Sequence, residues 1–163
     1  MTPRSEQLQI RVTSHEKSAL KRLARAAGQD VSAYVLARAL PENAERFAGI
    51  IAALRDDADR RFALAELHDF LAPLATTEFG TAVARADLRG LSPLVQNYVA
   101  ALVEQAAHVR GVPAPAWTRE VAPLDVPYFA APLRTLRLYL LRATPVPFRR
   151  RNIFADAGVG TRV

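Results

Sequence analysis

The sequence predicts a mainly α-helical chain whose one clear strand stands at the N-terminus, and three observations carry this. Residues 7–13 alternate strictly, with Leu8, Ile10 and Val12 on one side and Gln7, Gln9 and Arg11 on the other. From residue 14 onward, apolar residues recur at helical spacing. Between the periodic stretches stand residues that start and stop helices: Thr13, Gly28, Asp30, Pro41, Ser92-Pro93 and Gly111. The expected organisation is a head over 1–41, one strand and two helices, and an α-helical body over 42–163. The body includes a Pro-rich connector at about 111–132 and a basic C-terminal tail.

A lone strand leaves a row of backbone donors and acceptors without partners. The economical remedy is pairing with the same strand of a second copy, which makes the head a homodimer through its N-terminal strand. The ribbon so formed buries three aliphatics per chain and displays Gln-Gln-Arg twice on its other face. A two-stranded ribbon fits the DNA major groove, and Gln and Arg make bidentate contacts to adenine and guanine edges. The competing reading is an ordinary edge strand with a solvated polar face.

Thr13-Ser14-His15-Glu16 has the form of a capping box, which predicts that a helix begins here. Leu20, Leu23, Ala24 and Ala27 share one face of that helix, and Lys17, Lys21 and Arg25 form an outward stripe. Gly28 ends it. Asp30 caps a second helix that carries Val31, Val35, Leu36, Ala39 and Leu40 and stops at Pro41.

Strand, helix, glycine turn and helix, carried by LQIRVT, SHEKSALKRLARAAG and DVSAYVLARAL, resemble the ribbon-helix-helix family of DNA-binding proteins. The resemblance covers about a quarter of the chain and implies two interlocked copies with the paired strands in the major groove. It places Gln7, Gln9 and Arg11 as base readers and the amides near Val31 and Ser32 as a phosphate clamp at a helix N-terminus. Lys17 and Lys21 are the expected side-chain contacts to phosphate. One departure stands out: family members often carry Ser or Thr where this chain has Asp30, and a carboxylate there repels a phosphate.

The net charge of +6 is unevenly spread. Residues 1–41 carry +4, residues 42–110 carry −3 and residues 111–163 carry +5. A basic head doubled in a dimer is the electrostatic footprint of a duplex binder. With no cysteine, disulfides and thiolate metal sites are excluded, which suits a cytoplasmic protein. The chain shows no bilayer-spanning apolar run and no signal-peptide pattern, so no membrane role is expected.

In the body, helices are predicted over 43–55 (Phe47, Ile50, Ile51, Leu54), 58–75 (Phe62, Leu64, Leu67, Phe70, Leu71) and 77–86. A longer one starts at Ser92-Pro93 and runs through Leu94, Val95, Tyr98, Leu102 and Val109 to Gly111. Val112 to Trp117 reads as a stiff connector, and the lone Trp is expected to pack it onto its own domain. Leu133 to Arg142 reads as helix again. Arg149, Arg150 and Arg151, bracketed by Phe148, Ile153 and Phe154, read as a basic run that docks on a partner, on nucleic acid or on the body itself. Phe148, Arg149, Arg150, Arg151 and Phe154 are the candidate partner-binding residues. The body, from Leu88–Trp117 to Thr144–Phe154, also resembles small bacterial proteins encoded beside nucleotidyltransferase-type toxins, which implies an antitoxin with a protein toxin as partner.

Catalytic patterns are weak. Ser14, His15 and Glu16 are consecutive and point in different directions, and Glu66, His68 and Asp69 do not share a helix face. Glu104 and His108 lie one turn apart without a metal-site motif, and Gly158-Val159-Gly160 is too short for a phosphate loop. The expectation is therefore a non-enzyme without cofactor or metal: a dimeric antitoxin that binds double-stranded operator DNA, represses its own operon and neutralises a toxin. The alternatives are a stand-alone repressor of the same fold, or a dimeric adaptor that does not bind DNA.

Overall fold

A computed structural model describes residues 9–39, 42–131 and 133–156, without the side chains of 37–39. Gln7, Leu8, Leu40, Pro41, Pro132 and the Gly158–Gly160 segment lie outside the described residues. The chain divides into two compact units, Met1–Leu40 and Pro41–Val163, and is mainly helical.

In the first unit α1 spans Ser14–Ala26 and α2 spans Val31–Ala39. Among its described side chains, Ala24 and Tyr34 are the buried ones. Its turn is a Schellman motif: the Gly28 amide donates to Arg25 O at 3.1 Å and the Gln29 amide to Ala24 O at 3.0 Å. Gly28 sits at φ +65°, a backbone region that a Cβ disfavours. Thr13 is extended, at φ −71° and ψ 162°, and residues 9–13 carry no strand pairing among the described residues.

In the second unit α3 (Glu42–Ala53), α4 (Arg60–Leu71) and α5 (Thr76–Ala82) pack around α6 (Pro93–Arg110). Phe47 of α3 stacks on Phe70 of α4 with centroids 6.0 Å apart. Ser92 and Pro93 start α6 as expected, the Ser92 hydroxyl accepting from the Val95 amide at 3.4 Å, and Gly111 ends it at φ +65°. Arg110 then satisfies carbonyls that the end of α4 leaves open. It donates to Leu71 and Ala72, to Leu74 O at 3.0 Å and to Ala106 O of its own helix at 2.9 Å.

Several boundaries and faces differ from expectation. The helix expected over 58–75 is shorter, because residues 57–59 form a turn and Pro73 forbids continuation. Phe62 and Val109, expected in apolar faces, are 57% and 73% exposed. The Arg61 guanidinium covers part of the Phe62 ring at 4.6 Å. The connector folds into a 3₁₀ turn, Ala116–Glu120, and the Trp117 indole donates to Val83 O at 2.9 Å. Trp117 thus packs onto its own domain, as its composition suggested.

No strand pair is expected in the body from its pattern, but one is present. β1 (Tyr128–Phe129) runs parallel to β2 (Ile153–Phe154), and the Phe129 and Phe154 rings stack at 4.8 Å. Between them a 3₁₀ turn, Arg134–Leu136, leads into α7 (Arg137–Ala143), followed by α8 (Val146–Arg149). Asn152, at φ +56°, redirects the chain from α8 into β2, and its side chain donates to Leu124 O at 2.6 Å.

Candidate nucleic-acid interface

The candidate interface is built on the first unit. Thr13 closes the capping box in full: the Glu16 amide donates to Thr13 Oγ1 at 3.3 Å, and the Thr13 amide donates to Glu16 Oε2 at 2.7 Å. The Thr13 hydroxyl also donates to Glu16 Oε2 at 2.8 Å. These bonds to the ionised form hold the Glu16 carboxyl below its ordinary pKa, the Thr13 amide contributing most. The cap fixes where extended chain becomes helix, and so aims the side chains just before it.

Ile10 and Val12 are 60% and 43% exposed, and Gln9 and Arg11, which alternate with them along the chain, are exposed too. Leu23 of α1 adds a third uncovered aliphatic at 47%. The single chain buries none of these three, although each loses hydration free energy when covered, roughly 25 cal/mol per Å² of apolar area.

Arg11, Lys17, Lys21, Arg22 and Arg25 are all exposed, and none forms an ion pair among the described residues. Lys17, Lys21 and Arg25 follow each other at four-residue intervals along α1, giving one cationic stripe. At the start of α2, Asp30 Oδ1 accepts from the Ala33 amide at 2.9 Å, and the Tyr34 amide donates to Asp30 O at 2.9 Å. The amides of Val31 and Ser32 are the first-turn donors next to that carboxylate.

The body's predicted contact residues fall differently. Phe148 and Arg151 are buried, and Arg149 and Arg150 are exposed. The Arg151 guanidinium is consumed by the body itself. It donates to Glu104 Oε1 at 2.6 Å and Oε2 at 3.3 Å, to Thr118 O at 2.5 Å, to Val121 O at 3.2 Å and to Asn97 Oδ1 at 3.2 Å. Of the run expected to meet a partner, Arg149 and Arg150 remain outward and Phe154 is half-buried against Phe129. Glu104, one turn from His108, is committed to Arg151. Sequence reasoning passed over Glu104 as the acceptor for a buried arginine, because the two lie 47 positions apart.

Helical hairpin, capped entry, uncovered aliphatics and cations that form no ion pair among the described residues together describe a small helical module with a basic surface. Residues 2–57 match the NikA-like family model, described as mobilization protein NikA. This match is consistent with a ribbon-helix-helix DNA-binding segment, and it reaches past the head through α3. No curated protein and no solved structure matches the chain. Among the described residues no helix is long and apolar enough to cross a membrane.

Proposed function

We propose that the chain binds double-stranded DNA as a homodimer through its head. Two copies pair residues 7–13 as an antiparallel ribbon, covering Ile10 and Val12. Gln7, Gln9 and Arg11 then face base edges in the major groove. Lys17, Lys21 and the amides of Val31 and Ser32 hold the phosphate backbone on either side. The observation that carries this reading is the alternation of uncovered Ile10 and Val12 with Gln9 and Arg11 directly before a fully formed helix cap. The five cations, without ion pairs among the described residues, supply the attraction.

The DNA in question is proposed to be that of an element undergoing mobilization, with the chain as a non-enzymatic accessory in the cytoplasm. The match of residues 2–57 to a mobilization-protein model supports this role. The antitoxin role implied by the body's resemblance predicts another target: an operator beside the chain's own gene, and a neighbouring toxin that co-expression silences.

Light scattering and gel shifts test the core of the proposal. A dimer that retards duplex DNA at moderate salt is the expected result. A monomer at micromolar concentration, or a chain that retards no DNA, overturns it. Footprinting across the element separates the two roles. Protection away from the chain's own promoter supports mobilization, and protection confined to that promoter, with rescue from the neighbouring gene product, supports the antitoxin.

A further inference from the structure

Helices α4 and α6 and the segment from Pro145 to Asp156 border a cleft of about 330 Å³ within the second unit. Its walls are mostly apolar: Leu71, Leu102, Phe148 and Ala155 are buried residues that line it, and Val109 stands largely exposed at its edge. The volume is about twice the roughly 150 Å³ that holds one benzene, so a substituted single ring fits.

Two polar groups reach this cleft from different helices and lack partners. Gln105 Oε1 on α6 is buried and accepts no hydrogen bond among the described residues. His68 Nδ1 on α4 is buried likewise; the Asp69 carboxylate stands 3.8 Å from it, beyond hydrogen-bond reach. Buried groups of this kind ordinarily find partners, and the last torsions of both side chains are soft enough to turn these atoms onto the cleft. The two full charges on the lining are already engaged. Arg110 donates to the carbonyls of Leu71, Ala72, Leu74 and Ala106, and Asp156 Oδ2 accepts from the Tyr139 hydroxyl at 2.6 Å. They are opposite in sign, so neither an anion nor a cation gains a net attraction from them.

We infer that this cleft is a binding site for a small neutral phenol. The ring lies against Leu71, Leu102 and Phe148, and the hydroxyl donates to Gln105 Oε1 while accepting from the His68 ring. A hydroxyl suits both groups because it gives one hydrogen bond and takes others. Apolar walls with a few placed polar groups are the ordinary make-up of a small-molecule site. The site lies wholly within the second unit and uses none of the proposed DNA contacts, so it stands or falls apart from them.

Titration of the full chain with p-cresol, followed through amide chemical shifts, tests this. Saturable shifts at His68, Gln105 and Phe148 are expected, with Kd on the order of 100 μM for a ligand of this size. p-Xylene has the same shape without the hydroxyl and should bind about tenfold more weakly. Gln105→Leu should weaken p-cresol binding about tenfold and leave p-xylene binding unchanged, a split that a mere loss of packing would not produce. Val109→Trp, at a largely exposed position, should close the cleft to both compounds without changing the melting curve. Absence of saturable shifts up to about 5 mM p-cresol overturns the inference. So do equal affinities for p-cresol and p-xylene, undiminished binding in Val109→Trp, or tighter binding of 4-methylbenzoate, which would make the site one for anions.

Discussion

Replacing Arg151 with Met asks whether this residue is a strut of the body or a contact for a partner. Met keeps most of the side-chain stem and removes the charge and all five hydrogen bonds. It leaves the Glu104 carboxylate without its ion pair, and the Asn97, Thr118 and Val121 oxygens without this donor. Arg151 is 5% exposed and the Glu104 side chain 19%, so water replaces little of the lost solvation. Breaking one side of such a buried pair typically costs about 3–5 kcal/mol. For a unit of this size that lowers Tm by roughly 10–20 °C. The assay is urea denaturation followed through Trp117, which lies in the same connector as Thr118. Glu104→Gln with Arg151→Met should lose clearly less than the two single losses combined. A loss under about 1 kcal/mol, or strict additivity in the double variant, would refute the strut and return Arg151 to the partner surface.

Other outcomes follow from the head. Gly28→Ala forces a Cβ into φ +65° and should destabilise the α1–α2 pair by about 1–2 kcal/mol, seen as faster amide exchange in Ala24 to Tyr34. The Glu16 carboxyl is held below its ordinary pKa, so its stabilisation is complete above the unfolded value. It is lost as pH falls through the lowered folded value, and Thr13→Ala should flatten that acid limb in a circular-dichroism titration. Arg11→Ala should weaken binding to the preferred DNA by roughly 1–3 kcal/mol and to random DNA much less; equal losses would argue against base readout. Lys17→Ala should weaken both alike and reduce the salt slope by about one unit in gel shifts.

What the sequence disclosed was mostly local. The capping box at Thr13, the glycine turn at Gly28, the Asp30 cap and the Ser92-Pro93 start are each written within four consecutive residues, and each forms as expected. Core positions at helical spacing, such as Phe47, Ile50 and Ile51 or Val95 and Leu102, were legible for the same reason. What depended on distant partners was hidden. β1 and β2 are two residues each and meet across 25 positions, too short for alternation to register. The burial of Arg151 is invisible in a run of three arginines, where solvation is the ordinary fate and only Glu104 makes an exception. The proposed DNA face was readable as a pattern because residues 9–13 alternate whatever they pair with.

Asp30 has a consequence for how such a protein would search. Its carboxylate closes the first turn of α2, so under the proposed reading a phosphate drawn to the Val31 and Ser32 amides would meet a negative neighbour. On that proposal a duplex of arbitrary sequence would be held loosely and released soon, and only a stretch that also satisfied Gln7, Gln9 and Arg11 would keep the protein long enough to matter. Asp30→Ser would tighten the hold on every duplex and blur the distinction between the right address and all the others.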